Sequence, residues 1–378
     1  MSCNSKSTLF VAAAGAGKTT MLVRMACEFS EGKVLFVTYT DENTEEITQK
    51  FYELNHGVPA HVSIKPWFTF LLEQYIRPYQ SVWTQERISG IEMVQGTSGL
   101  VTYDGRTYHS QTQDKVAYYV NASMQVYSDK LSKMAIETCQ KTDGAILERL
   151  CRAYQMILVD EVQDMVGYDL DVLKQISETV GHSAFAGDPR QDICETHQEP
   201  RNKKYSKGKI VEFFRAECPN VMIDMATLSV NHRCRPEICD FSNRVFPELP
   251  SAVSDVTATS NHDGLYFVKE SDIDEYLARY CPVQLRHAVN TKRVRPNYKA
   301  LNFGKAKGHA YDDVLIFPTE EMRNWLNNNH QKLADGTRSK LYVAITRARN
   351  SVAFVVPDKF RYMNTELKEY RESESEEG

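Results

Sequence analysis

The residues best equipped for chemistry lie near the start of the chain, in the run AAAGAGKTT from Ala12 to Thr20. This run follows the apolar stretch Thr8 to Val11, so the spacing predicts a strand feeding a loop and then a helix that begins near Lys18. Small residues let backbone N–H groups close around a β-phosphate. Lys18 can reach the β and γ oxygens, and the Thr19 hydroxyl suits Mg²⁺. The helix adds the partial positive charge of its N-terminus. Ala14, Gly15, Ala16, Gly17, Lys18, Thr19 and Thr20 thus form a candidate cradle for a nucleoside triphosphate. The general motif opens with Gly where this chain has Ala12, but Gly15 and Gly17, which allow the closest approach, are present.

Such a loop needs a carboxylate from a second strand to hold the metal. The apolar stretch Gln155 to Val159 (QMILV) runs directly into Asp160, Glu161, Val162, Gln163 and Asp164. At a strand's C-terminal end Asp160 can hold the metal's water shell, and Glu161 can polarise the water that attacks the γ-phosphate. The next apolar run, Ser183 to Ala186, ends in Gly187, Asp188, Pro189, Arg190 and Gln191. The Gln191 amide can bond both a γ-phosphate and a neighbouring segment, which would make it a sensor of hydrolysis. Arg233 and Arg347 are candidate clamps for charge on the transferred phosphoryl group, since a guanidinium fork binds phosphate oxygens bidentately. Spacing alone does not separate either from a structural arginine.

The bulk composition is that of a folded, water-borne protein. A chain of 378 residues with 42% apolar and 25% charged residues can form two or three domains with cores. No stretch approaches the ~18 to 20 apolar residues of a membrane span, and the apolar N-terminal run is consumed by the phosphate loop rather than by a signal peptide. An intracellular, cytoplasmic protein without membrane contact is expected. The nine cysteines include no Cys-x-x-Cys pair, which argues against a disulfide framework and a zinc site, and His232, Cys234 and Cys239 lack a fourth ligand at suitable spacing. The formal charge is −5, yet it is unevenly spread. No Asp or Glu lies between Tyr276 and Tyr311, whereas Arg279, Arg286, Lys292, Arg293, Arg295, Lys299, Lys305 and Lys307 do. A second cluster comprises Arg201, Lys203, Lys204, Lys207 and Lys209. Such runs are usually solvated faces and leave nucleic-acid contact an open alternative.

Taken in order, these segments resemble the motif series of superfamily 1 helicases of the UvrD/Rep type. AAAGAGKT, VLFVTYTDENTEEI, ILVDEVQD, AFAGDPRQ, LSVNHRCRPEICDFSN, NFGKAKGHAYDDVLIFP and LYVAITRAR follow one another as in that family and span residues 8 to 356. The resemblance implies ATP as nucleotide with Mg²⁺, Lys18 and Thr19 on phosphate and metal, Asp160 on the metal, and Glu161 as general base. It implies that Gln191 couples nucleotide state to movement, that Arg233 and Arg347 reach the γ-phosphate from a second motor domain, and that Gly308 belongs to the nucleotide site. It also implies single-stranded DNA and its junctions with duplex as partner, stepping 3′ to 5′, with Thr38, Tyr39, Trp67, Asn302 and Lys305 against the strand. Stacked aromatics contribute about 1 to 3 kcal/mol per base, which singles out Tyr39 and Trp67, although core packing would equally account for them.

Several positions depart from the family. Seven residues precede Thr8, so no upstream glutamine motif for reading adenine is expected. Ala310 stands where a ribose-binding Glu is usual and Gly304 where His is common, so weak base and sugar selectivity is expected. Ile193, Cys194, Glu195 and Thr196 replace the aromatics that usually follow the GDxxQ segment.

The expected fold class is α/β, with two recA-like P-loop motor domains built on parallel sheets. Residues 1–77 and 144–225 form the first motor and 78–143 a small inserted accessory domain, in which Asp104-Gly105 signals a hairpin. Residues 226–357 form the second motor, with about 247–300 the vestige of a second accessory domain and 358–378 a charged, disordered tail. No nuclease domain is expected on the chain. The functional expectation is an ATP-driven single-stranded DNA translocase and helicase, in repair for example. The alternatives are a nucleic-acid-stimulated ATPase serving a separate nuclease or loading partner in repair or anti-phage defence, an RNA-directed helicase, and a nucleotide switch without polynucleotide.

Overall fold

The computed structural model describes residues 6–109, 112, 115–193, 200–327, 331–361 and 366–371. The chain divides into two compact units, one of residues 1–11, 18–189 and 194–224, the other of residues 12–17, 190–193 and 225–378.

The first unit alternates strand and helix: β1 (Lys6–Val11), α1 (Lys18–Glu28), β2 (Val34–Thr38), α2 (Asp41–Asn55), β3 (Val62–Pro66) and α3 (Trp67–Phe70). After these come β4 (Gly90–Glu92), β5 (Leu100–Tyr103), β6 (Arg106–His109), α4 (Val116–Tyr119), β7 (Gln125–Tyr127), α5 (Leu131–Lys141) and α6 (Ala145–Ala153). The unit closes with β8 (Met156–Val159), α7 (Tyr168–Thr179), β9 (His182–Gly187), α8 (Ile210–Glu217) and β10 (Val221–Asp224). Six strands form one parallel sheet in the order β10-β1-β9-β8-β2-β3. Every residue of β2 and β8 is buried, which is why VLFVT and MILV read as unbroken apolar runs rather than alternating ones. The C-terminal ends of β1, β9 and β8 therefore lie side by side, followed by the small residues Ala12 to Gly17, by Asp188 and by Asp160-Glu161. The start of α2 is set by Thr40, whose Oγ1 accepts from the Asn43 N–H at 3.2 Å.

The stretch expected as an insertion packs into this same unit. The faces of α5 bury Leu131, Met134, Ala135 and Cys139, and Trp83 Nε1 donates to Thr138 Oγ1 at 2.8 Å. Asp104 and Gly105, at φ 50° and 69°, make the turn of the antiparallel hairpin β5-β6.

The second unit contains β11 (Val230–Asn231), α9 (Pro236–Asn243), β12 (Val253–Ser254), β13 (Gly264–Lys269), α10 (Ile273–Tyr280), β14 (Val283–Arg286) and β15 (Ala300–Asn302). It ends with β16 (Tyr311–Ile316), α11 (Glu320–Asn327), α12 (Asp335–Ile345), β17 (Ala348–Val356) and β18 (Lys368–Glu369). Its parallel sheet has the order β15-β14-β16-β17-β13-β18. This revises two expectations. Residues 264–286 are not the vestige of an inserted domain, because β13 and β14 are strands of the sheet and Leu265, Val268, Ile273, Leu277 and Leu285 fill its core. The end of the chain is not wholly a tail either, since β18 pairs with β13 and Tyr370 packs edge-on against Tyr276. Residues 372–378 lie outside the described ones. No helix among the described residues is long and apolar enough to cross a membrane.

Beside β13 the ring of His262 is stacked between Tyr266 at 4.3 Å and Tyr280 at 3.7 Å, with Nε2 2.6 Å from the Tyr276 hydroxyl. Burial among these rings lowers its pKa to about 4; Asp263 opposes that shift, while Arg279 and Lys368 reinforce it. A histidine with a depressed pKa leaves stability intact above its ordinary value of 6.5. Stability is then lost as pH falls from there toward 4, because the unfolded chain takes up a proton that the folded ring refuses. Urea unfolding at pH 7 and pH 5 should show the wild type losing roughly 2 kcal/mol more than His262→Phe over that interval.

Candidate nucleotide site

The loop after β1 has the backbone of a phosphate cradle. Gly15 and Gly17 sit at φ 73° and 76°, where a side chain is disfavoured, and α1 begins at Lys18. Residues 12–17 belong to the second unit because their backbone groups bond there. The Ala13 N–H donates to the Leu228 carbonyl at 3.1 Å, the Ala14 N–H to the Tyr342 hydroxyl at 3.1 Å, and the His232 N–H to the Gly15 carbonyl at 3.0 Å. The buried Asn231 lies under Gly15 and uses Oδ1 to accept from the N–H groups of Arg233 and Cys234, at 2.8 and 2.9 Å. Thr20, partly buried, lies in the first turn of α1.

At the other end of the loop the geometry joins α1 to the end of β8. Lys18 Nζ lies 3.3 Å from Glu161 Oε1, and Thr19 Oγ1 donates to Asp160 Oδ2 at 2.8 Å. Asp160 is only 2% exposed. Its other oxygen accepts from the Glu161 N–H at 2.9 Å. Burial, reinforced by the neighbouring Glu161 charge, raises its pKa to about 6 in spite of Lys18. Burial pulls the Lys18 ammonium the opposite way, but the charges of Glu161, Asp160 and Asp188 outweigh it and its pKa rises. Two hard oxygens side by side, one hydroxyl and one carboxylate, suit Mg²⁺. Glu161 takes a left-handed backbone, φ 58° and ψ 37°, unusual outside glycine.

Gln191 and Arg347 meet: Arg347 Nη2 donates to Gln191 Oε1 at 3.2 Å. Arg347, 1% exposed, also donates to the carbonyls of His309 and Val343, both at 3.2 Å, and to Thr346 Oγ1 at 3.3 Å. These four acceptors are all neutral. Arg233 is half-buried, with Nη1 3.5 Å from the Thr346 carbonyl. Gly308, at φ 84°, is exposed on a turn with room around its Cα. Gln163, Asn231 and Tyr342, all buried, also support this machinery; they lie inside DEVQD, LSVNHRCRPEICDFSN and LYVAITRAR, but their residue types gave no sign of a role.

Of the polynucleotide candidates, Trp67 is corrected. Its ring is wholly buried and Nε1 donates to Asp169 at 2.7 Å, so it offers no face to a base. The apolar pattern around it is that of a core-facing helix start. Thr38 is also buried, at the end of β2. Tyr39 is half-buried, edge-on to Phe68 at 5.8 Å. Asn302 is half-buried with Oδ1 3.3 Å from Arg286 Nε, and Lys305 is exposed. Ion pairing reduces both basic clusters: Arg201 makes two bonds to Asp171, Lys204 faces Glu217, Arg293 meets Glu270 and Arg295 holds Asp274. Cys194, Glu195 and Thr196 lie outside the described residues.

Residues 1–197, more than half of the chain, match the family described as AAA domain. The chain belongs to the AAA domain family. No curated protein is significantly similar to it. Among solved structures, an arterivirus nonstructural protein 10 (helicase) superposes with a TM-score of 0.44 at 14% identity, over 95% of this chain and 61% of that one. The arterivirus nonstructural protein 10 helicase in complex with DNA gives a TM-score of 0.47 at 12% identity, over 94% and 61%. The chain thus spans 61% of the length of these two.

A Cβ at Gly15 would fall 2.7 Å from Asn231 Oδ1 and 2.8 Å from Arg233 Cβ, at a φ that already disfavours it. Gly15→Ala should therefore lose about 1 to 2 kcal/mol from backbone strain alone and bind nucleotide more weakly. Gly304→Ala, with nothing within 4 Å of its Cβ, should leave both unchanged. Thermal melts and titration with a fluorescent ATP analogue measure the two effects.

Proposed function

We propose that the protein is an ATP-hydrolysing motor of the superfamily 1 helicase kind, of UvrD/Rep type, that moves along single-stranded DNA in the 3′-to-5′ direction. The observation that carries this reading is the constellation Lys18, Thr19, Asp160 and Glu161, a cation and a hydroxyl from a phosphate loop set against two carboxylates. Family membership supports the nucleotide chemistry, and the ordered motif series supports the motor.

In this reading Lys18 binds the β and γ oxygens, and the backbone from Ala14 to Thr20 encloses the phosphates. Thr19 and Asp160 would hold Mg²⁺, which when bound supplies charge neutralisation and orientation of the phosphates. Glu161 takes a proton from the attacking water. The water oxygen bonds to the γ-phosphorus while the bond from that phosphorus to the β,γ-bridging oxygen breaks, leaving its electron pair on the diphosphate. Gln191 reads the presence of the γ-phosphate, and Arg233 and Arg347 neutralise charge developing on it. Arg347 is pre-oriented for this by its bonds to neutral acceptors. Tyr39, Asn302 and Lys305 are the proposed strand contacts, the first by stacking and the others by polar and charged contact to the backbone.

ATPase rates with and without single-stranded DNA, at two salt concentrations, test this. Stimulation by DNA that weakens with salt, and that Lys18→Ala and Glu161→Gln abolish, is the expected result, with a loss of at least about 100-fold for Glu161→Gln. Hydrolysis indifferent to DNA overturns the motor. Because Gly304 and Ala310 supply no side-chain partner for base or sugar, GTP and dATP should be hydrolysed at rates close to that for ATP. Initial rates on the three nucleotides compare them directly.

A further inference from the structure

Gln163 lies two residues beyond the proposed base, Glu161. It is 3% exposed, and both ends of its amide are engaged. Nε2 donates to Glu161 Oε2, and Oε1 accepts from the Asp188 N–H at 3.0 Å. The second bond fixes which end of the amide is oxygen, because a backbone N–H needs an acceptor. Gly187 makes room for the arrangement: a Cβ there would stand 2.7 Å from Gln163 Oε1 and 2.9 Å from Val162 Cγ2. Glu161 itself sits on a left-handed backbone, so the direction of its side chain depends on what grips it.

The two oxygens of Glu161 are committed differently. Oε1 faces Lys18 at 3.3 Å, while Oε2 is held by Gln163. In the proposed reaction a triphosphate draws Lys18 onto its own oxygens and releases Oε1. Gln163 still holds the carboxylate by Oε2.

We propose that Gln163 is a positioning residue that aims the freed oxygen of Glu161 at the attacking water and fixes that carboxylate to the backbone at the end of β9. This deepens the hydrolytic reading and rests on it. In the step so served, the water oxygen joins the γ-phosphorus, the bridging P–O bond breaks with its electrons on the diphosphate, and one water proton passes to Glu161 Oε1. Charged groups facing that carboxylate include Lys18 of α1 and Asp160 at the end of β8, and Lys18 in turn faces Asp188 after β9.

Gln163→Glu preserves size and an acceptor for the Asp188 N–H but removes the donor to Glu161, whereas Gln163→Leu removes both. Each should bind a fluorescent ATP analogue as the wild type does, keep KM, and lose about 10- to 100-fold in kcat. In a Glu161→Gln background neither change should lower the residual rate further, because the group being aimed is gone. A kcat within about twofold of wild type, or a loss of equal size in both backgrounds, overturns the proposal. So does failure of both variants to fold, which would make Gln163 a packing residue. A wild type that hydrolyses no nucleoside triphosphate removes the underlying reading and the proposal with it, and is distinguished by the wild-type assay alone.

Discussion

Two adjacent carboxylates at the end of a buried strand repel each other and lose hydration, and the nucleotide site depends on the cation set against them. Lys18 supplies that charge, and Thr19 adds a hydrogen bond to Asp160. Neither group could reach without the strand order of the first sheet. β9 separates β1 from β8, and α1, which begins at Lys18, reaches the end of β8 across that one strand. The all-parallel arrangement turns every such C-terminal end to one edge of the sheet, where loops can collect polar side chains that the buried strands cannot hold. Asp160 is buried there, and that burial raises its pKa.

The same balance ties these four groups to one another. Lys18 is occupied with Glu161, and Asp160 with Thr19, so the groups that would handle phosphate and metal satisfy one another beforehand. A buried charge left alone would cost several kcal/mol, and the pairing avoids this at the price of partners that must exchange when a ligand enters. In the proposed reading, binding would replace one set of contacts with another. Arg347 is held differently: its guanidinium donates to two carbonyls, a hydroxyl and an amide oxygen, which orient it.

Polar residues buried close to the phosphate loop act as struts. Asn231 caps two backbone N–H groups and occupies the space that a side chain at Gly15 would need, Tyr342 accepts from Ala14, and Gln163 links Glu161 to Asp188. In such low-dielectric surroundings a fully bonded polar network rigidifies, whereas the loss of one member leaves others unsatisfied. That asymmetry gives small side chains around the loop more weight than their size suggests.

The phosphate loop, the apolar run into Asp160-Glu161 and the Asp104-Gly105 turn were legible in the sequence because their signals are local. Glycine's tolerance of positive φ, the apolarity of a strand buried on both faces and the geometry of a two-residue turn are each fixed within a few residues. The α/β class of the first unit followed from the alternation of apolar runs and amphipathic segments, and the second parallel sheet from the resemblance carried by the motif series. Long-range packing decided the rest. Trp67 could have been a stacking platform or core until Asp169, far away in the chain, was found bonded to its indole. The runs LYFVK and VQLR could have been an insertion until β13 and β14 paired within the second sheet. Basic clusters looked like continuous charge until Asp171, Asp274 and Glu270 met them from elsewhere. A side chain's neighbours across the fold, not its neighbours in sequence, determine whether it is buried, paired or free to act. Gln163 shows both halves: the sequence placed it in DEVQD, and only the folded chain put Glu161 and Asp188 at the two ends of its amide.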